Sequence, residues 1–191
     1  MLQGFINICD ANDFIKPTVY QGDYSVVNRG MERKLLPILK KYGIAYNAFR
    51  YAALHSQCSV NTDMIHIRVL ASGFLSGKLT NGNVEGTRFE GNGPMNKFMQ
   101  SLYDQESLHN AFRELEETTR ALRITTIDAA LRWAYYHSSL GKNDGIILGA
   151  SSIKQIKSNI ESILRGPLPQ KCLDTFDRIW ETLEPARGDI L

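Results

Sequence analysis

No stretch of the 191 residues approaches the roughly 18 consecutive apolar positions that a membrane-crossing helix needs. The N-terminal MLQGFINICDAND has neither the basic start nor the apolar run of an export signal. Nothing is therefore expected to export or anchor the chain. Cysteine is scarce as well. Cys9, Cys58 and Cys172 are odd in number and far apart, which excludes a disulfide framework and any CxxC metal or redox site, and a reducing cytoplasm fits best. A surplus of one charge is also missing. With 22 Lys and Arg against 20 Asp and Glu, scattered among one another, the formal charge is +2 and no basic stripe exists for nucleic acid or anionic lipid. Catalytic signatures are no richer, for HExxH, GxSxG and spaced metal-ligand sets are all absent. Of four histidines, His55 and His66 fall in an aperiodic run, while His109 and His137 sit in helices with no carboxylate pattern nearby. All four are expected to be solvated or structural.

What is present is an alternation of helical and strand patterns. Leu2, Phe5, Ile6 and Cys9 make a helix stripe that begins abruptly, like the tail of a helix. KPTVYQG reads as a strand opened by Pro17. RGMERKLLPILKKYG follows as a helix with Met31, Leu35, Ile38 and Leu39 on one face, a bend at Pro37 and Gly43 as its C-cap. GIAYNAF is the next strand. Beyond Lys78, glycines at 82, 86, 91 and 93 mark an irregular surface segment. Two helices come after it, one striped by Leu108, Phe112, Leu115, Thr119 and Leu122, the other capped by Thr125 or Thr126 with Asp128 in its first turn.

GIILG is an apolar strand of the sort expected in a parallel sheet covered on both faces. A helix then starts at Ser151 or Ser152 and is expected to bury Ile153, Ile156, Ile160 and Ile163 before Gly166. A last helix aligns Leu173, Phe176, Trp180 and Leu183. With no hairpin signal, the order is that of a parallel α/β fold. Three strands alone would leave long unpaired edges.

Two places suggest phosphate binding. SGFLSGKL carries Gly73, Gly77 and Lys78, but three residues intervene where a Walker A loop has four, and Leu79 follows the lysine in place of Ser or Thr. That excludes a metal-dependent nucleotide triphosphatase. It leaves a pyrophosphate cradle of backbone N–H groups and Lys78, or a plain strand-to-helix turn. In GIILGASSIKQIKSN, a strand ending in small residues runs straight into a helix N-terminus, a place for a phosphate. Ser151 and Ser152 either donate to it or merely cap the helix.

Three stretches taken together, KPTVYQGDYS, ASGFLSGKL with GTRFEGN, and TIDAALRWAYYHSSLGKNDGIILGASSIKQIKSN, resemble the NADPH-dependent aldo-keto reductases, in particular the aflatoxin-aldehyde-reductase-like and fungal members. The likeness implies the C-terminal half of a (β/α)8 barrel, incomplete, with parallel strands and flanking helices, from the end of the fifth helix onward. It also implies the site residues. Gln21 would hold the nicotinamide carboxamide and Phe49 would stack on its ring. The loop Leu70, Ala71, Ser72, Gly73, Leu75, Ser76, Gly77 and Lys78 would wrap the pyrophosphate, with Arg88 near the cofactor. Gly149, Ser151, Gln155 and Asn159 would take the adenosine phosphate end of NADP. Gln155 stands where other branches carry Arg, which leaves NADP against NAD preference open.

The family's catalytic Tyr, Asp, Lys and His come from the first half of the barrel and have no counterpart here. The resemblance therefore implies a chain that is inactive alone, or active only with another polypeptide supplying strands one to four. A non-catalytic dinucleotide-binding or dimerising module that hides its edges by self-association is the remaining reading. A small carbonyl compound is a substrate only of the completed barrel. The resemblance covers the whole of 1–191 except 51–68. Without that run the text is GIAYNAFRVLASGFLSGKL, close to the family's strand-to-loop passage apart from Arg50 and Val69. The run is read as extra, from an unspliced intron or a loop insertion.

Overall fold

The computed structural model describes residues 2–48, 70–150 and 152–188. Phe49, Ser151 and the run 51–68, with the readings placed on them, lie outside the described residues.

Helix α1 (Leu2–Ala11) buries Ile6 and Cys9 of its expected stripe and leaves Phe5 exposed. Strand β1 (Val19–Gly22) follows Pro17. The helix expected to bend at Pro37 is instead two, α2 (Met31–Lys34) and α3 (Leu36–Lys41), broken at Leu35. Pro37 thereby falls in the first turn of α3, where a missing N–H forfeits no helical bond. Gly43, at φ +64°, turns the chain out of α3 and into β2 (Ala45–Ala48).

Among the described residues three α-helices, not two, lie between β2 and the third strand: α4 (Pro94–Tyr103), α5 (Glu106–Ala121) and α6 (Thr126–Tyr136). Thr125 and Asp128 form a reciprocal capping box at the start of α6. Strand β3 (Gly145–Ile146) joins β1 and β2 in one parallel sheet of order β1-β2-β3, with Val19 opposite Ala45 and Asn47 opposite Gly145. Helices α7 (Ile153–Leu164) and α8 (Gln170–Arg187) complete the order.

Two aromatic clusters anchor the core. Tyr24 packs on Trp133 and edge-on to Tyr46, and Phe74 sits between Tyr103 and Phe112 at centroid distances of 5.7 and 6.0 Å. Each such buried ring contributes roughly 1.5–3 kcal/mol relative to exposure. Polar ties lock the helical layer to the β1 loop. The Tyr24 hydroxyl donates to Glu32 at 2.5 Å and accepts the Ser139 N–H at 2.9 Å. Arg29 pairs with Glu32 and with Asp177 of α8 while lying over the Trp133 ring.

Two expectations fail in an informative way. Ordered pairing in β3 covers two residues, and Ile146, Ile147 and Leu148 are only partly buried rather than covered on both faces. On α7, Ile153 and Ile160 are exposed, Ile156 and Ile163 half-buried, and the buried residues are Asn159 and Ser162. The cause is one and the same: beyond β3 no further strand pairs among the described residues, so these residues lack that cover, and Ile146, Leu148 and Ile163 pack only partly against the core. Three strands are described where a closed barrel of this type has eight. No helix among the described residues is long and apolar enough to cross a membrane.

Candidate cofactor-binding site

In a parallel sheet every strand leaves its carboxyl end at the same rim, and the described candidate residues lie late in a strand or after one in the chain. Gln21 lies exposed near the end of β1, in register with Asn47. Leu70 to Lys78 follow β2, and Gly149 with α7 follows β3.

The loop after β2 is unusually contorted. Ala71, Ser72 and Gly73 have φ of +50°, +60° and +91°, three successive left-handed residues of which two carry side chains. Conformations of this kind cost on the order of 1–3 kcal/mol each and persist only where the surroundings over-determine them. Here the surroundings do. Phe74 and Leu75 are fully buried just beyond, the Thr126 hydroxyl donates to the Leu75 carbonyl at 2.7 Å, and the Ser76 hydroxyl donates to the Gly73 carbonyl at 2.7 Å. Gly77, at φ +80°, lies so close to Phe112 that a Cβ would stand 2.4 Å from the ring. Ser72 is 5% exposed, yet its Oγ has no hydrogen-bond partner among the described residues. Lys78 projects into solvent at the end of the loop. Consecutive N–H groups in such turns form anion-binding concavities. Arg88 is half-buried further along, its carbonyl accepting from Asn96 at 3.0 Å.

At the other end of the rim Gly149 is buried, and Ser152, not Ser151, caps α7, its side chain accepting the Gln155 N–H at 3.2 Å. The exposed side chain of Gln155 lies one turn before Asn159, which is 4% exposed and has an amide Nδ2 without a partner among the described residues. Asp128 fixes the attitude of α7. Its carboxylate accepts from the Ser162 hydroxyl, from the Thr125 N–H at 3.2 Å and from Arg165 at 3.2 Å. Burial alone would raise the Asp128 pKa, but the hydrogen bonds from Ser162 and Thr125 and the charge of Arg165 outweigh it and hold the carboxyl below its ordinary value.

Burial, aided by Glu32 and by Asp23 respectively, pushes the Tyr24 and Tyr46 hydroxyls well above the usual tyrosine range, and both are engaged within the protein, Tyr46 donating to the Asp23 carbonyl at 3.0 Å. His137 accepts the Leu168 N–H at 2.8 Å. His109 does have a carboxylate beside it, contrary to the sequence expectation: Asp104 lies 2.9 Å from Nε2 while Thr80 engages Nδ1. That bridge ties the surface loop to α5. Among the described residues no cluster of His, Cys, Asp and Glu suits a metal ion.

Residues 6–181 match the Aldo/keto reductase family. The chain belongs to that family. It is 31% identical over 182 residues to an aldo-keto reductase of Pseudocercospora fijiensis, covering 93% of this chain and 55% of that protein. To the mouse (Mus musculus) aflatoxin B1 aldehyde reductase member 2 it is 32% identical over 184 residues, covering 91% of this chain and 45% of the relative. The chain thus spans about half the length of the relatives it matches. A Klebsiella pneumoniae aldo-keto reductase solved in complex with NADPH superposes over 100% of this chain and 47% of its own, with a TM-score of 0.54 and 19% identity. The aldo-keto reductase fold explains the three parallel strands and their helices as part of a (β/α)8 barrel.

Proposed function

We propose that this aldo-keto reductase chain is the NADPH-holding portion of a carbonyl reductase, inactive by itself and competent only when another polypeptide supplies the remaining strands and the acid. One observation carries the proposal. Ser72 and Asn159, on separate segments, are the candidate cofactor residues that bury side-chain polar atoms with no hydrogen-bond partner among the described residues. Ser25 and Asn28, in the loop after β1, also bury side-chain polar atoms without a partner among the described residues; such groups are uncommon in folded chains, and those at two candidate positions fit a ligand that satisfies them. Solved relatives of this fold hold NADPH or NADP. Within this chain Gln21 would hold the carboxamide, the loop from Leu70 to Lys78 and Arg88 the pyrophosphate, and Gly149, Gln155 and Asn159 the adenosine end, with Phe49 and Ser151 as further contacts. The bound cofactor supplies a hydride; the chain's own residues bind and orient it, and protonation of the product oxygen falls to the completing polypeptide. A cytoplasmic setting agrees with the free, buried thiols of Cys9 and Cys172.

A second reading, favoured by the open sheet edges, is a dinucleotide-binding module that associates with itself and performs no chemistry.

Titration of the purified chain with NADPH, followed by calorimetry, tests the first reading. Ser72→Ala and Asn159→Ala are each expected to weaken binding about five- to tenfold, the value of one hydrogen bond. Neither the Ser72 Oγ nor the Asn159 Nδ2 has a hydrogen-bond partner among the described residues, so the change in urea midpoint should be small. Absence of binding at millimolar NADPH removes the nucleotide reading, and reduction of an aromatic aldehyde by the chain alone removes the claim of inactivity.

A further inference from the structure

Among the described residues each end strand of the sheet has a neighbour on one side only, leaving backbone groups along β1 and along β3 without a strand partner there. The segments that precede β1 and follow β3 in the chain are apolar on their exposed faces. Before β1, α1 exposes Phe5 and Ile8, and the lead-in to β1 exposes Phe14 (61%) and Ile15 (96%). At the β3 edge, α7 exposes Ile153 (75%), Ile160 and Leu164 (76%), spaced along one face. A groove of about 510 Å³ runs beside the start of β3, lined by Leu140, Ile146, Leu148 and Ile163. The charges at the two edges are opposite in balance. Asp10, Asp13 and Lys16 flank the first, a net −1 with Lys16 paired to Asp10, while Lys154, Lys157, Glu161 and Arg165 flank the second, a net +1 once Asp128, paired to Arg165, is included.

We infer that the β1 edge of one copy of this chain docks on the β3 edge of a second copy. Because the strands are parallel, a two-fold rotation about an axis along them sets β3 of one copy against β1 of the other without reversing either. The same rotation makes the second junction. One heterologous interface, formed twice, closes a ring and leaves no edge. The register of direction also places the lead-in to β1 beside the start of β3, which brings Phe14 and Ile15 to the partner's groove and α1 alongside α7. This deepens the second reading above and does not depend on nucleotide binding. It has a regulatory consequence: a polypeptide completing the barrel needs the same two edges, so self-pairing and completion exclude each other.

Sedimentation equilibrium of the full chain at micromolar concentration is expected to give twice the 21.5 kDa chain mass. Ile15→Lys sets a cation facing the basic edge, and Leu164→Glu an anion facing the acidic one. Both positions are largely exposed, so each variant should keep the parent circular-dichroism spectrum. Each alone is expected to weaken the dimer by about tenfold or more, the effect of roughly 1.4 kcal/mol per ring. Mixed in equal amounts, the two should recover a dimer, because one junction then pairs two intact edges and the other pairs opposite charges. A monomeric parent chain, a polymer beyond the dimer, or a dimer disrupted by only one of the two substitutions overturns the inference, the last because it marks a like-with-like interface. NADPH affinity, measured separately, decides the nucleotide reading.

Discussion

Replacing Asp128 by Ala should loosen α7 from α6 without touching a candidate cofactor residue. Three interactions are lost. The half of the capping box that runs from the Thr125 N–H to the carboxylate is worth about 0.5–1 kcal/mol. The Ser162 hydroxyl bonds a buried carboxylate, which is worth about 1.5–3 kcal/mol, though Ser162 retains the Ser158 carbonyl at 3.0 Å and the lower half of that range applies. The Arg165 side chain is 57% exposed, so its pair adds no more than about 0.5 kcal/mol. Together they give a loss of roughly 2–4 kcal/mol, read from the urea midpoint at constant slope. Asp128→Asn keeps an acceptor oxygen and should lose about half as much. A loss below about 0.5 kcal/mol in the Ala variant, or an Asn variant as unstable as the Ala one, would refute the assignment of Asp128 as the tie between these helices.

Gly77→Ala combines a left-handed residue, costing about 1–2 kcal/mol, with a Cβ 2.4 Å from the buried Phe112 ring. The expected fall in melting temperature is on the order of 5–10 °C, and a change within about 2 °C would show that the loop relaxes freely. His137 has its pKa lowered from 6.5, chiefly by burial and further by Arg132, and its ring accepts the Leu168 N–H in the neutral form. Between the folded and unfolded pKa the unfolded chain binds more protons, so the contribution of this group is complete above pH 6.5 and declines as pH falls below it. The urea midpoint should decrease over that window in the parent and flatten in His137→Gln. Identical pH profiles for the two would dismiss His137 as the titrating group.

The order of elements was legible in the sequence because it rests on periodicity, and periodicity survives whatever surrounds it. Orientation was not. The isoleucines of α7 mark an apolar face correctly, but whether that face is buried depends on a neighbouring strand, and the polar Asn159 and Ser162 turn inward because Asp128 binds one of them. Helix α4 escaped notice since only Met99 and Tyr103 of its ten residues are buried, too few to make a stripe. In the loop after β2, Gly73 and Gly77 announced unusual backbone, whereas the left-handed Ala71 and Ser72 carry no sequence signal, being forced by the burial of Phe74 and Leu75 beyond them. Asp104 reaches His109 from the residues just before α5, a spacing that no helical template relates.

The opening turn of α6 touches both halves of the rim at once. Thr126 grips the contorted loop through the Leu75 carbonyl, and Asp128, two residues on, grips α7 through Ser162. The gap between the segment that would cradle a diphosphate and the helix that would meet the adenosine is therefore gauged by a single coil of backbone, about 5.4 Å in pitch. A dinucleotide spanning that gap would meet a caliper set by Thr126 and Asp128, neither of which is among the candidate contacts.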